Sequence, residues 1–150
     1  MGRTLFSALF VFSAWQKYLE FGVDGGPSAK LLAVKTDLVR THVAGSLGVI
    51  LPEVDEKYLL MTGIVLEGLG GILFTVGSNL GAIMLLLFLA AVTPVMHDFY
   101  NYEPSSPQFT TEFFQFMKNL SLVGALLFFM AMRSSRSVKT GRKKAKPKTN

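Results

Sequence analysis

Polar side chains inside otherwise apolar stretches of this 150-residue chain are the first candidates for chemistry. Glu67 is the single charge in the stretch 58–78, where an acid costs several kcal/mol unless a partner satisfies it. Counted from the ends of their stretches at about 1.5 Å per residue, Gln16, Lys17 and Asn119 lie at a similar depth. We predict a ligand- or proton-binding cluster of Gln16, Lys17, Glu67 and Asn119. The alternative is a structural Glu67 that only supports packing.

A second polar group, His97 and Asp98, follows the third apolar stretch and precedes three aromatic residues. Adjacent His and Asp can serve in acid–base chemistry, but we favour an aromatic belt with a helix-terminal cap. The other histidine, His42, lies in a separate loop, and the chain has no cysteine, so no metal site is predicted. No nucleotide or nucleophile motif is present. We therefore expect no catalytic residue, no cofactor and no enzyme activity.

Four apolar stretches must position these residues, at about 3–22, 58–78, 80–96 and 113–132. About 20 apolar residues cross a hydrocarbon core of about 30 Å. Half of the residues are hydrophobic and only 17% are charged, against about 25% in soluble domains. The predicted fold is an all-α membrane protein with four transmembrane helices in an antiparallel bundle, which occupies residues 1–132.

Small residues mark one face of the second stretch. At about 100° per residue, Gly63, Gly70 and Gly77 fall near one line with Glu67. In lipid, small residues on one face let two helices approach closely. Gly63, Gly70 and Gly77 are therefore predicted to pack against a neighbouring helix, and Glu67 to face the interior of the bundle.

The last eighteen residues, 133–150, carry eight of the fifteen basic side chains and no acid. The net charge of +5 comes entirely from this tail, because residues 1–132 carry seven basic and ten acidic side chains. Positive charge beside a span indicates the cytosolic side, and four spans place both termini there. We predict a disordered cytosolic tail. It has no interleaved aromatic residues, so nucleic acid is not an expected partner.

Lys146 and Lys148 are the fifth and third residues from the C-terminus. Their spacing resembles the dilysine sorting signal for retrieval to the endoplasmic reticulum by the COPI coat. The alternative is simple attraction to an anionic leaflet, at about 1 kcal/mol per basic residue.

The first loop, 23–57, is predicted to hold an amphipathic helix that begins at Pro27-Ser28 and ends near Gly45 and Gly48. Its leucines and valines alternate with charged residues such as Lys35, which indicates a helix that lies on the bundle or on the membrane surface. In the four-span topology this loop and residues 97–112 face the lumen or exterior.

Six motifs in order carry a family resemblance: SAWQ (13–16), EFG (20–22), DGGP (24–27), GLGG (68–71), DFYNY (98–102) and GALLFF (124–129). Together they resemble the plant HR-like (Nicotiana) lesion-inducing proteins, within a wider DoxX-like group of four-helix membrane proteins. The resemblance implies a four-span bundle, a plant source and a link to hypersensitive-response-like cell death. It supplies no catalytic residues.

On these grounds we expect a non-enzymatic membrane adaptor or receptor-like protein that acts in cell death, defence and stress signalling. Its expected location is the endoplasmic reticulum membrane, with another endomembrane or the plasma membrane as the alternative. Expected partners are the lipid bilayer, lumenal protein cargo and the COPI coat. The alternative function is a small transporter, or a lipid- or quinone-binding membrane subunit, that uses the Glu67 cluster.

Overall fold

The structure, a computed structural model, describes residues 2–144, and it describes side chains as far as Ser134. The described part of the chain is helical and contains no strand, which confirms the all-α class. The five helices are α1 (Gly2–Leu19), α2 (Gly26–Leu47), α3 (Glu56–Thr75), α4 (Asn79–Met96) and α5 (Pro107–Lys144), and a short 3₁₀ turn (Phe99–Asn101) lies between α4 and α5.

Local sequence explains where most helices begin. Asp55 precedes α3, Ser78 precedes α4 and Ser106 precedes α5, and each side-chain oxygen accepts a hydrogen bond from a backbone N–H of the first turn. Such caps satisfy donors that have no partner inside the helix. In α2, Pro27 lies in the first turn, and Gly48 ends the helix with a φ of +65°. The helix predicted within loop 23–57 is therefore present as α2.

The bundle is built around α3. It pairs with α4 across the short turn 76–78, and α1 lies antiparallel along another side of α3. At one end of this helix pair the hydroxyl oxygens of Ser7 and Thr75 are 2.6 Å apart. Further along the pair, Lys17 donates a hydrogen bond to Glu67. α5 packs against α4 and brings Leu126 into the core. The main core cluster contains Phe10, Phe74, Ala82, Leu85, Phe88, Leu89 and Leu126.

Glycines allow the close contacts on both sides of α3. A Cβ atom on Gly70 would lie 3.1 Å from the Leu85 side chain of α4, and Gly63 faces α4 through Phe88. Gly77 does not lie on the predicted packing face, because α3 ends at Thr75 and Gly77 occupies the following turn with a φ of +84°. Contact with α1 depends on two glycines that the predicted stripe leaves out, Gly68 and Gly71.

Three helical segments in the described part of the chain are long and apolar enough to cross a membrane: Glu56–Thr75, Asn79–Asn101 and Pro107–Ser134. They agree with the second, third and fourth predicted spans and with an integral membrane protein. α1 is not among them, because Arg3, Gln16 and Lys17 lower its mean hydropathy. The four-span topology therefore stays a prediction.

The last helix is longer than the predicted span 113–132. It begins at Pro107, behind the Ser106 cap, and it continues to Lys144, past the predicted end of the span at Met132. The sequence explains this difference, since lysine and arginine favour helices and no proline occurs between Pro107 and Pro147. The predicted sorting residues Lys146 and Lys148 lie outside the described residues.

Candidate ligand cavity and its buried ion pairs

Glu67 forms an ion pair with Lys17 inside the bundle. The Lys17 Nζ atom lies 2.6 Å from Oε2 of Glu67, and the two side chains are 28% and 4% exposed. The contact of Gly68 with Ala14 brings α1 and α3 close enough for this pair to form. Lys17 Nζ also lies 5.2 Å from the ring centroid of Phe88, within cation–π range. Glu67, the acid predicted to need a partner, therefore has one in Lys17.

The other two predicted cluster residues are placed differently. Asn119 donates a 3.1 Å hydrogen bond to Oγ1 of Thr93, which joins α5 to α4. It still lines the same cavity as Lys17 and Glu67. Gln16 is exposed, because adjacent helical residues point about 100° apart and Lys17 takes the inward position. The structure thus brings three of the four predicted residues to one cavity.

This cavity has a volume of about 670 Å³ and is lined by residues of all five helices. Most of its wall is leucine, isoleucine, valine and phenylalanine, and the polar lining includes Lys17, Glu67, Ser13 and Asn119. An apolar cavity with a few placed polar groups is typical of small-molecule sites, which span about 300–1,000 Å³. Its composition suits a molecule with an apolar body and one or two hydrogen-bonding groups.

Thr36 adds a further polar group to the cavity wall. Its hydroxyl oxygen is buried, and it is the one such side-chain atom in the described residues that has no hydrogen-bond partner. An unpaired buried hydroxyl costs about 1–3 kcal/mol. A ligand that offers a hydrogen bond to Thr36 would remove this cost.

α2 forms one wall of the cavity, and a buried lysine holds it in place. Lys35 projects from α2 and pairs with the fully buried Asp98. Lys35 Nζ also lies 3.2 Å from Oε1 of Glu112 on α5, and Nδ1 of His97 lies 3.1 Å from the other oxygen of Glu112. Asn101 donates a 3.1 Å hydrogen bond to Asp98. We call these five residues the Lys35 cluster.

The charges of the Lys35 cluster are mutually stabilised. Burial by itself lowers the pKa of Lys35, but hydrogen bonds to the carboxylates of Asp98 and Glu112 outweigh it and hold that pKa above its ordinary value. Lys35 therefore stays protonated at physiological pH. Its ammonium group also lies 5.7 Å from the ring centroid of Tyr102. The cluster joins α2 to the ends of α4 and α5.

Sequence reasoning noted His97 and Asp98 but favoured an aromatic belt with a helix cap for them, and it missed Lys35 as the partner of Asp98, although one signal was available. Lys35 was counted among the charged residues that alternate with apolar ones. At about 100° per residue, however, it lies between Leu31 and Leu38 on one side and Leu32 and Val39 on the other. A lysine in the middle of an apolar stripe indicates a buried partner. Within the described residues, no group of three or more potential ligands could hold a metal ion.

Comparison with known proteins gives one match. Residues 1–132 match the family model described as HR-like lesion-inducing. The match includes α1 to α4, the Lys35 cluster and α5 as far as Met132. No curated protein and no solved structure matches the chain.

Proposed function

This chain belongs to the HR-like lesion-inducing family, and we propose that it acts in lesion or cell-death responses as a non-enzymatic, receptor-like membrane protein. Its activity is to bind a small amphiphilic molecule inside the bundle. The observation that carries this proposal is the apolar cavity of about 670 Å³ with the Lys17–Glu67 ion pair on its wall.

The ligand class follows from the lining. Lys17 and Glu67 neutralise each other, so the cavity favours an uncharged molecule over an ion. Lys17 and Asn119 offer donors, Glu67 offers acceptors, and the Thr36 hydroxyl has no partner. A neutral lipid or a quinone matches this combination, since each joins an apolar body to hydroxyl or carbonyl groups. Such a ligand would enter from the bilayer.

α1 completes the bundle as a fourth span in this proposal. Its 18 residues extend about 27 Å at about 1.5 Å per residue, close to the thickness of a hydrocarbon core. Lys17 is neutralised by Glu67, and Leu5, Phe12 and Trp15 are exposed on the outside, where lipid would cover them. Four spans place both termini in the cytosol, and they place α2 and residues 97–112 in the lumen.

The location and partners follow from this topology. The basic tail on the cytosolic side, with Lys146 and Lys148, supports retention in the endoplasmic reticulum through the COPI coat. α2 and residues 97–112 offer a lumenal surface to a protein cargo. The family resemblance supports a plant source and a role in defence. A bound lipid-like ligand would alter the lumenal surface because α2 is also a wall of the cavity.

Mass spectrometry of small molecules that co-purify with the full-length protein from native membranes tests this function. We expect the wild type to retain a neutral amphiphile. Glu67→Gln should reduce its occupancy about tenfold or more, because a hydrogen bond to a charged group contributes about 1.5–3 kcal/mol.

Glu53→Gln is the matched control, since the Glu53 side chain is 87% exposed and lies outside the cavity. This variant should retain the ligand at the wild-type level. The absence of any small molecule from the wild type, or equal retention by both variants, would contradict the proposal.

A further inference from the structure

Two arginines converge at the end of the bundle opposite α2. Arg3 comes from the start of α1 and Arg133 from α5, and both reach the turn between α3 and α4. A guanidinium nitrogen of Arg3 occupies the space in which a Cβ atom on Gly77 would stand. Nη1 of Arg133 lies 3.6 Å from that same point. Gly77 is required here both by its φ of +84° and by the space that Arg3 takes.

Within residues 2–134, whose side chains the structure describes, no acidic group balances the charge of this arginine pair. All ten acidic residues of the chain lie within 20–67 and 98–112, so the segments that form this end contain none. In the part of the chain that the structure describes, neither arginine pairs with a carboxylate. The C-terminus of α3 supplies about half a negative charge, but the N-terminus of α4 begins beside it and supplies about half a positive one. Among the described residues, the two guanidinium charges therefore remain uncompensated.

We propose that Arg3 and Arg133 together bind the phosphate group of an anionic phospholipid. Guanidinium groups match phosphate oxygens in a bidentate manner, and two of them can share one phosphate. The Phe129 ring, 5.6 Å from the Arg3 guanidinium carbon, supports one side of the site. This inference is independent of the cavity ligand and goes beyond the proposed function.

The position of the pair favours a lipid over a soluble anion. Three candidate spans begin or end here, at Thr75, Asn79 and Ser134, so the arginines lie at the level of lipid headgroups. Directly beside them, Val76 and Leu80 are 75% and 58% exposed and offer an apolar surface to acyl chains. A phosphate at this position can thus remain attached to its lipid.

The test measures lipid binding to the detergent-purified full-length protein by native mass spectrometry. The probes are phosphatidylinositol 4-phosphate, phosphatidylcholine and inorganic phosphate. We expect the wild type to bind phosphatidylinositol 4-phosphate in preference to the other two. Arg3→Ala with Arg133→Ala should weaken this binding about thirtyfold, because each basic residue near anionic lipid contributes about fivefold.

Two control variants distinguish a specific phosphate site from general attraction between basic residues and anionic lipid. Lys143→Ala with Lys144→Ala removes the same number of charges from the tail, and it should weaken binding less than the arginine double variant. Arg40→Ala removes an arginine at the other end of the bundle, where it pairs with Glu53, and it should leave binding unchanged. Arg3→Lys with Arg133→Lys keeps the charge and should retain part of the binding, which covers the case in which the alanine variant does not fold.

Three results would overturn the proposal. The first is an equal loss in the arginine and tail-lysine variants, and the second is full retention by the arginine double variant. The third is binding of inorganic phosphate as tight as that of the lipid, which would assign the pair to a soluble anion. None of these readouts depends on the Lys17–Glu67 cavity, so a failure here is distinguishable from a failure of the proposed function.

Discussion

Replacing Lys35 with methionine removes the lysine that joins α2 to α4 and α5. Asp98, whose exposure is 0%, would then keep only the hydrogen bond from Asn101 as a side-chain partner. Removing one member of a buried ion pair costs about 3–5 kcal/mol, because the remaining charge is left without compensation. Since domains are stable by only about 5–15 kcal/mol, we expect Lys35→Met to release α2 from the bundle or to unfold the protein.

Cysteine labelling measures this release, because the chain has no cysteine of its own. Thr36→Cys places one thiol where the structure buries the threonine hydroxyl on the cavity wall. In this background a water-soluble maleimide should react slowly, and Lys35→Met should raise the rate by at least an order of magnitude. Arg40→Met is the control on the same helix. It should change the rate little, because its pair with the exposed Glu53 is worth about 0–1 kcal/mol.

A second substitution separates lost charge pairing from lost packing. Asp98→Leu added to Lys35→Met removes the uncompensated acid, so the double variant should recover much of the thermal stability that the single variant loses. If Lys35→Met has the same labelling rate and the same melting temperature as the protein with Lys35, then Lys35 is not the residue that holds α2 against the bundle. Failure of the double variant to exceed the single variant would show that shape, and not charge, dominates at this position.

Other variants test the helix contacts, the intramembrane acid and the tail. Gly70→Leu should destabilise the bundle by about 1–3 kcal/mol in detergent melts, because its Cβ would lie 3.1 Å from α4. Gly124→Leu, where nothing lies within 4 Å, should be neutral, and equal effects would contradict the packing argument. Glu67→Gln keeps an oxygen that can accept a hydrogen bond from Lys17, so it should leave folding and location intact, and loss of the folded protein would assign Glu67 a structural role. Lys146→Ala with Lys148→Ala should move the protein to later secretory compartments in imaging, and an unchanged location would exclude the dilysine signal.

Contacts within the spans were the predictable part of the site. An isolated acid such as Glu67 needs a partner inside the membrane, and a helix advances by a fixed rise, so counting depth was sufficient to place Lys17 among the candidate partners. The same counting could not distinguish Gln16 from Lys17. That choice depends on the rotation of α1 about its own axis, which is fixed by its contacts with Gly68 and Gly71.

The Lys35 cluster and the arginine pair were less accessible to sequence reasoning. Lys35 and Asp98 are 63 positions apart, and their meeting depends on the angle at which α2 crosses the bundle end. No periodic pattern encodes that angle. Gly77 was predicted to pack against a helix because the end of α3 was placed a few residues too late. In the structure α3 ends at Thr75, and Gly77 lies in the turn that follows. Sequence patterns locate the end of a helix only to within a few residues.

α5 is long enough to extend well beyond a hydrocarbon core. Its 38 residues extend about 57 Å at about 1.5 Å per residue, nearly twice the thickness of a hydrocarbon core of about 30 Å. Glu112 and Arg133 lie at opposite ends of the bundle on this one helix, so both respond to the same tilt or rotation of it. A change in the position of α2 against Glu112 would therefore displace Arg133 at the other end of the bundle. The Lys35 cluster and the arginine pair are thereby coupled through one helix.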